Sequence, residues 1–288
     1  MPRELSVVSP RSACPACKQP IAAYDNIPVL SWLLLRGRCR HCRAAISPRY
    51  AVVELLTGIF FGLSYYVAAH GSIEESAGAI DLYVLGLAVK YSVFCFLLLG
   101  LVFTDAETKL LPDLLTKPGI VLGLLFSLFV KMPEPPPLLF QSILNGRILW
   151  LANSAAGALF GSAFLLGIAL LYQAVRGVEG MGKGDVKLMG LIGAFLGMWL
   201  TLLVLVLGTL VGSIFGVLAI VVVWRKRLAR RRSKRSEPPK EASARAWQSA
   251  KLIYRNFQIP FGVFLGSAAL VSIFWGNRLL VWYLGLYR

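Results

Sequence analysis

Residues 186–224, VKLMGLIGAFLGMWLTLLVLVLGTLVGSIFGVLAIVVVW, carry a single charge, Lys187. One bilayer crossing takes roughly 20 mostly apolar residues, and this run is close to twice that. It reads as two spans with a break near Met198 to Thr201. Working outward, further apolar runs lie at 51–69, 82–104, 114–130, 149–172 and 260–284. The total is seven spans, and the fold class is an all-α polytopic membrane protein. Composition points the same way. With 57% hydrophobic residues, 15% charged residues and a mean hydropathy of +0.68, the chain has too little polar surface for a water-soluble globule.

The basic residues orient the spans. Eight lie in residues 1–50 and twelve in 225–259, with smaller numbers in the 105–118 and 173–187 loops. These four segments alternate with spans onto one side and hold 25 of the 30 Lys and Arg residues. The other side keeps Lys131, Arg147, Arg278 and Arg288, while Lys90 falls inside a span. The positive-inside rule makes the heavy side cytoplasmic, with the N-terminus in and the C-terminus out. The first residues contain no apolar core of a secretory signal, so no cleavable signal peptide is expected.

Two acidic residues stand where apolar runs meet polar loops on that cytoplasmic face. Asp105 ends the run from Leu82, and Asp185 closes the turn Gly180-Met-Gly182-Lys-Gly184-Asp185. Carboxylates at membrane depth are costly and mark function by default. If the helices bring the two together, like-charge repulsion lets the pair hold one proton. The ionised member could then activate a water while the protonated one polarises and later protonates a scissile amide. Gly182 and Gly184 would let backbone approach a substrate strand. A glycine-rich turn alone is weak evidence, since such turns commonly just join helices. A second interfacial aspartate makes it substantial.

Residues 1–50 form a separate soluble unit. Cys14-Pro-Ala-Cys17 and Cys39-Arg-His-Cys42 are separated by 21 residues. Two such knuckles read as a four-cysteine Zn2+ ribbon, each offering two thiolates to one edge of a tetrahedral ion. A pair of disulfides or a thiol redox site is the alternative, disfavoured on a reducing cytoplasmic face. His41 could replace a cysteine as ligand, but with four cysteines available it reads as a neighbour, and Cys95, inside a span, reads as a small packing residue. The remaining segments are 51–224, a transmembrane core, 225–259, a basic disordered loop, and 260–288, the last helix and C-terminus. The basic loop suits anionic lipid head groups. It lacks interleaved aromatics, so no nucleic-acid partner is expected. Pro133–Pro137 reads as a stiff link, Asp113 as the N-cap of the following helix, and Glu54 and Lys90 as either functional or structural ionisable groups.

Several stretches resemble a known family, the prepilin peptidases, which are membrane aspartic proteases of the GxGD type. Arg11-Ser-x-Cys14-Pro-x-Cys17, Asn26-Ile-Pro-x-Leu-Ser-Trp32-Leu, Leu35-Arg-Gly-x-Cys39-x-x-Cys42 and Ile46-Ser-x-Arg49-Tyr50 resemble its cytoplasmic zinc domain. Val53-Glu54-Leu-Leu-Thr57-Gly is similar to the entry of the next span. Asp105-x-Glu-x-x-x-Leu-Pro112-Asp113-x-Leu-Thr116 and Glu179-Gly-Met-Gly-x-Gly184-Asp185-x-Lys187-Leu resemble the two catalytic segments. Ile259-Pro-Phe-Gly262-x-Phe-Leu is similar to the entry of the last span.

The resemblance implies an endopeptidase that removes the basic leader of type IV prepilins and type II secretion pseudopilins at the cytoplasmic face of the bacterial inner membrane. Asp105 and Asp185 take the catalytic roles. It also implies S-adenosylmethionine-dependent N-methylation of the new N-terminal residue, for which the chain itself shows no nucleotide-binding fingerprint. Two features depart from the family pattern: the family usually carries another transmembrane helix before the zinc domain, and the 225–259 loop is longer and more basic than usual. A non-enzymatic protein, such as an ion-coupled transporter or a zinc-ribbon scaffold, would also account for the spans and the basic face. It would not account for two aspartates at one interface beside a glycine turn. A membrane thiol oxidoreductase is weakened by the cytoplasmic placement of the cysteines.

Overall fold

The computed structural model describes residues 13–70, 82–130, 146–178, 182–234, 243–249 and 260–285. Arg11, the Pro133–Pro137 link, Glu179–Met181 of the glycine turn, Ile259 and Arg288 lie outside them. The described residues are helical apart from loops and two isolated β-bridges. The helices are α1 Leu30–Leu34, α2 Pro48–His70, α3 Leu82–Thr108, α4 Asp113–Phe129, α5 Gly146–Arg176, α6 Lys183–Lys234, α7 at 243–249 and α8 Phe261–Gly285. Two compact units divide within α3, one ending at Leu99 and the other starting at Gly100.

In the first unit, the two cysteine knuckles are built alike. The bridges Ala13–Pro20 and Arg38–Ala45 close them. In each, the first cysteine donates its N–H five residues on, Cys14 to Gln19 and Cys39 to Ala44. The residue after the second cysteine donates back to the first, Lys18 to Cys14 and Arg43 to Cys39. Lys18 and Arg43 both take positive φ, the tight reversal such a loop requires. Between the knuckles, a 3-10 turn Ala23–Asn26 and α1 carry Trp32, whose indole N–H donates to the Ile46 carbonyl at 3.2 Å. Gly37, at φ 66°, lets the chain pass Trp32, since a Cβ there would meet the indole ring at 2.8 Å. Glu54 of α2 accepts the Val29 N–H at 3.0 Å, which gives it a structural task at the start of α1. Arg40 grips Asp25 with two nitrogens, at 2.5 and 2.7 Å, and lies over the Tyr24 ring. Lys90 of α3 is 1% exposed.

The second unit is organised around α6. Gly197 has φ 75° inside it, and there the chain turns back on itself. The reversal follows from α5. A Cβ at Gly161 would stand 3.0 Å from both the Met189 carbonyl oxygen and Thr201 Cγ2, residues about 18 Å apart in a straight helix. The limb 183–196 thus descends and the limb from 198 returns beside it. From Leu188 to Leu196 the first limb is buried throughout, whereas the second exposes Leu202, Val206, Leu210 and Ile214, as a lipid-facing helix does.

Glycines set the helix separation. A Cβ at Gly157 of α5 would lie 2.6 Å from the Gly197 carbonyl carbon and 2.8 Å from the Gly193 oxygen. Backbones this close exclude larger residues, the usual device for packing helices in lipid, where no hydrophobic drive joins them. The turn is also satisfied internally: Met198 N–H donates to Asn153 Oδ1 at 3.2 Å, and Ser154 Oγ donates to the Ala194 carbonyl at 2.9 Å. That matters because an unpaired backbone group in hydrocarbon costs several kcal/mol. On the second limb, a Cβ at Gly208 would meet Leu265 of α8 and one at Gly212 would meet Phe264.

Among the described residues, five helices are long and apolar enough to cross a membrane by length and composition. α4 has 17 residues, and α6 counts once although it contains two limbs, the first roughly 21 Å long at 1.5 Å per residue. The break in the opening run falls at Gly197, just before the expected Met198 to Thr201, because the reversal needs a residue that accepts positive φ. Parts of the basic segment 225–259 are helical. Residues 225–234 extend α6, and α7 folds back on it, with Trp247 edge-on to Trp224 at 6.3 Å and Ala246 fully buried.

Candidate active site

Asp105 lies in the last turn of α3 and Asp185 in the first turn of α6. Each helix starts or stops there for a local reason. Past Asp105, Lys109 turns to positive φ, and Pro112 then permits no continuation. Before Asp185, the turn is closed by its own N–H donating to the Gly182 carbonyl at 3.1 Å. Asp105 is 4% exposed and Asp185 9%, and the charge of Asp105 is felt at Asp185. Leu111 wedges between the elements. It lies 3.0 Å from where a Gly184 Cβ would be and 3.3 Å from where a Gly262 Cβ would be, so neither position accepts a side chain freely. Gly182 is more open, with Asp185 Oδ2 at 3.7 Å from its Cβ position.

Asp105 has a partner that the residue types do not announce. Oδ2 accepts the backbone N–H of Val263, in the first turn of α8, at 3.0 Å. The other acidic residue of the region, Asp113, opens α4 but does not cap it; Pro112 is the N-cap and no side chain bonds there. Instead Asp113 takes Lys187 of α6 at 2.5 Å and Lys117, one turn on, at 2.9 Å. Those ammonium groups, Lys187 first, hold its carboxyl below the usual carboxylate range. The pair ties the start of α4 to the helix that carries Asp185 two residues earlier. Neither contact was readable from spacing, because one uses a backbone donor and the other joins residues 74 apart.

In the N-terminal unit, the sulfurs of Cys14, Cys17, Cys39 and Cys42 all lie within 4.8 Å of one another, and none is in a disulfide. Cys14 and Cys42 are 3.8 Å apart, the separation that a tetrahedral ion with metal–sulfur bonds of about 2.3 Å imposes. The backbone also prepares thiolates. N–H groups of Cys17 and Ala16 pull the Cys14 thiol down to about 6, and those of Cys42 and His41 lower Cys39. Cys17, despite the Gln19 N–H, is pushed up to about 11 by burial and by its thiol neighbours. Four soft ligands in this arrangement fit a metal ion of the zinc type, and His41 is not among the clustered ligands.

Known proteins resemble the chain along nearly its whole length. Residues 1–68 match the Bacterial Peptidase A24 N-terminal domain, and residues 92–217 match the Type IV leader peptidase family. The chain is 35% identical to the prepilin leader peptidase/N-methyltransferase of Aeromonas salmonicida, over 97% of its own length and 76% of the relative's. It is 34% identical, with the same coverage of both chains, to the proteins of that name from Aeromonas hydrophila and Pseudomonas aeruginosa. No solved structure matches. With two matched regions that contain the cysteine cluster and both aspartates, and relatives aligned along nearly its whole length, the chain belongs to the type IV leader peptidase family.

Proposed function

We propose that this chain is a membrane aspartic endopeptidase that removes the basic leader of type IV prepilins and related type II secretion pseudopilins. Asp105 and Asp185 are its catalytic pair. The observation that carries the reading is two buried carboxylates, one ending α3 and one opening α6, within electrostatic reach of each other in a leader peptidase fold. One carboxylate is ionised and takes a proton from water as the water oxygen attacks the scissile carbonyl carbon. The other, protonated, hydrogen-bonds the carbonyl oxygen and then supplies the proton that lets the amide nitrogen leave. The carbon–nitrogen bond breaks, giving a leader carboxylate and a new N-terminal amine, without a covalent intermediate. The open Gly182 turn gives an extended substrate strand access to the pair.

The new amine is the acceptor for the second activity. S-adenosylmethionine, when bound, would supply the methyl group to that amine and leave as S-adenosylhomocysteine, with the amine proton passing to solvent, the activity that the relatives' N-methyltransferase name implies. A structural Zn2+ held by Cys14, Cys17, Cys39 and Cys42 stabilises the N-terminal unit. The protein is a multi-pass inner-membrane protein whose N-terminus and aspartate pair face the cytoplasm, with the basic segment 225–259 suited to anionic head groups.

The test is cleavage of a prepilin in proteoliposomes with labelled S-adenosylmethionine present. Asp105→Asn and Asp185→Asn should each abolish cleavage, and with it label transfer, while the protein stays folded in the membrane. Cleavage that survives in either variant would sink the two-carboxylate mechanism.

A further inference from the structure

The last helix reaches the aspartate pair through its backbone alone. The first N–H groups of a helix have no partner within it and carry the positive end of its dipole. In α8 two of them turn to Asp105: Val263 N–H donates to Oδ2 at 3.0 Å, and Gly262 N–H is directed at the same carboxyl. The approach depends on the residue before it. A Cβ at position 262 would stand 2.9 Å from Asp105 Oδ2 and 3.1 Å from its Cγ, so only glycine lets this turn lie against the carboxylate. Leu111 closes the far side. These contacts hold a carboxyl that is 4% exposed against the start of α8.

We propose that the first turn of α8, through the Val263 N–H and the bare backbone of Gly262, is the positioning element of Asp105. It fixes the orientation of that carboxyl. This rests on the reading of Asp105 as catalytic. Asp185 is the titratable group that shares the site with Asp105, and α8 contributes no charged side chain there, only backbone amides. The last span is thereby part of the catalytic apparatus rather than packing around it.

The experiment compares three variants of the full chain in proteoliposomes on a prepilin peptide. Val263→Ala keeps the amide donor and shortens the side chain. Val263→Pro removes the donor at a position in the first turn of a helix, where proline is accepted. Gly262→Ala drives a methyl group against Oδ2. Val263→Pro and Gly262→Ala should lower kcat by about 10- to 100-fold relative to Val263→Ala, the loss typical of a hydrogen bond to a charged group. KM should stay within about twofold, because the amide donor acts on Asp105 and not on the substrate. A purely structural role would instead lower thermal stability and the active fraction, with kcat per folded molecule unchanged. Equal kcat in Val263→Pro and Val263→Ala, with Asp105→Asn inactive, overturns this proposal alone. An active Asp105→Asn overturns the catalytic reading and this one with it. Should Val263→Pro fail to fold, Gly262→Ala decides by the same kcat comparison.

Discussion

Replacing Gly157 by alanine adds one methyl group to α5, at a point where α5 touches both limbs of the α6 hairpin. That methyl would lie 2.6 Å from the Gly197 carbonyl carbon and 2.8 Å from the Gly193 oxygen, against the 3.4 Å at which ordinary contact begins. Backbone atoms cannot rotate away, so the helices must part by about 0.8 Å. Overpacking of this kind costs about 1–3 kcal/mol. The displacement does not stay local. The limb 183–196 is tied to α5 at both ends, by Ser154 Oγ donating to the Ala194 carbonyl at 2.9 Å and by Ser162 Oγ donating to the Val186 carbonyl at 3.2 Å. Asp185, proposed above as catalytic, is next to that last contact, and a shift approaching 1 Å at such a group can cost on the order of 100-fold in rate. Gly157→Ala should therefore lose about 10- to 100-fold in kcat/KM and show a lower unfolding temperature in detergent. The matched control is Gly167→Ala on the same helix, where a Cβ meets nothing within 4 Å. There the gain in helix propensity, about 0.5–1 kcal/mol, should leave stability equal or higher. Indistinguishable melting curves and rates for the two variants would refute the idea that these glycines set the position of Asp185.

Two further outcomes can be checked on the purified chain. Asp113 has its folded pKa depressed by Lys187 and Lys117, so its contribution is complete above the ordinary carboxylate value of about 4 and fades as pH falls through the folded value. The difference in unfolding temperature between wild type and Asp113→Asn should be constant near neutrality and close in acid; a pH-independent difference would show that the ion pair does not couple α4 to α6. In the N-terminal unit, elemental analysis should find about one zinc per chain, and chelation should expose residues 13–47 to protease while the helices of the second unit stay protected. A metal-free chain that resists protease across 13–47 would refute the zinc site.

The aspartates and the cysteines were legible because their chemistry is carried by side chains at fixed local spacing. Two CxxC pairs and two acidic residues at apolar boundaries can be read without knowing what packs on what. The reversal in α6 was legible as a length, a run too long for one crossing, but its place was not. Composition around Met198 to Thr201 is uniform, and the turn sits at Gly197 because that residue takes φ 75° while Asn153, 44 positions away, receives the freed N–H. The different surroundings of the two limbs were not legible either. Hydropathy sees apolar residues but not that Leu188 to Leu196 face protein on every side. Asp113 shows a third limit: a residue after proline and before an apolar run has the pattern of an N-cap, yet Lys187 offered its carboxylate a charge partner that no local rule anticipates. Val263 was invisible altogether, since an amide donor leaves no mark on residue type.

The hairpin in α6 also makes this protein intolerant of changed length. Gly190 and Gly193 face α5 from the same limb that begins with Asp185, and Gly197 closes it. Each residue added or removed between Asp185 and Gly193 would swing the carboxylate about 100° around the helix axis and shift it about 1.5 Å along it. No loop in that interval can absorb the change. The eight-step interval from aspartate to glycine behaves as a fixed ruler.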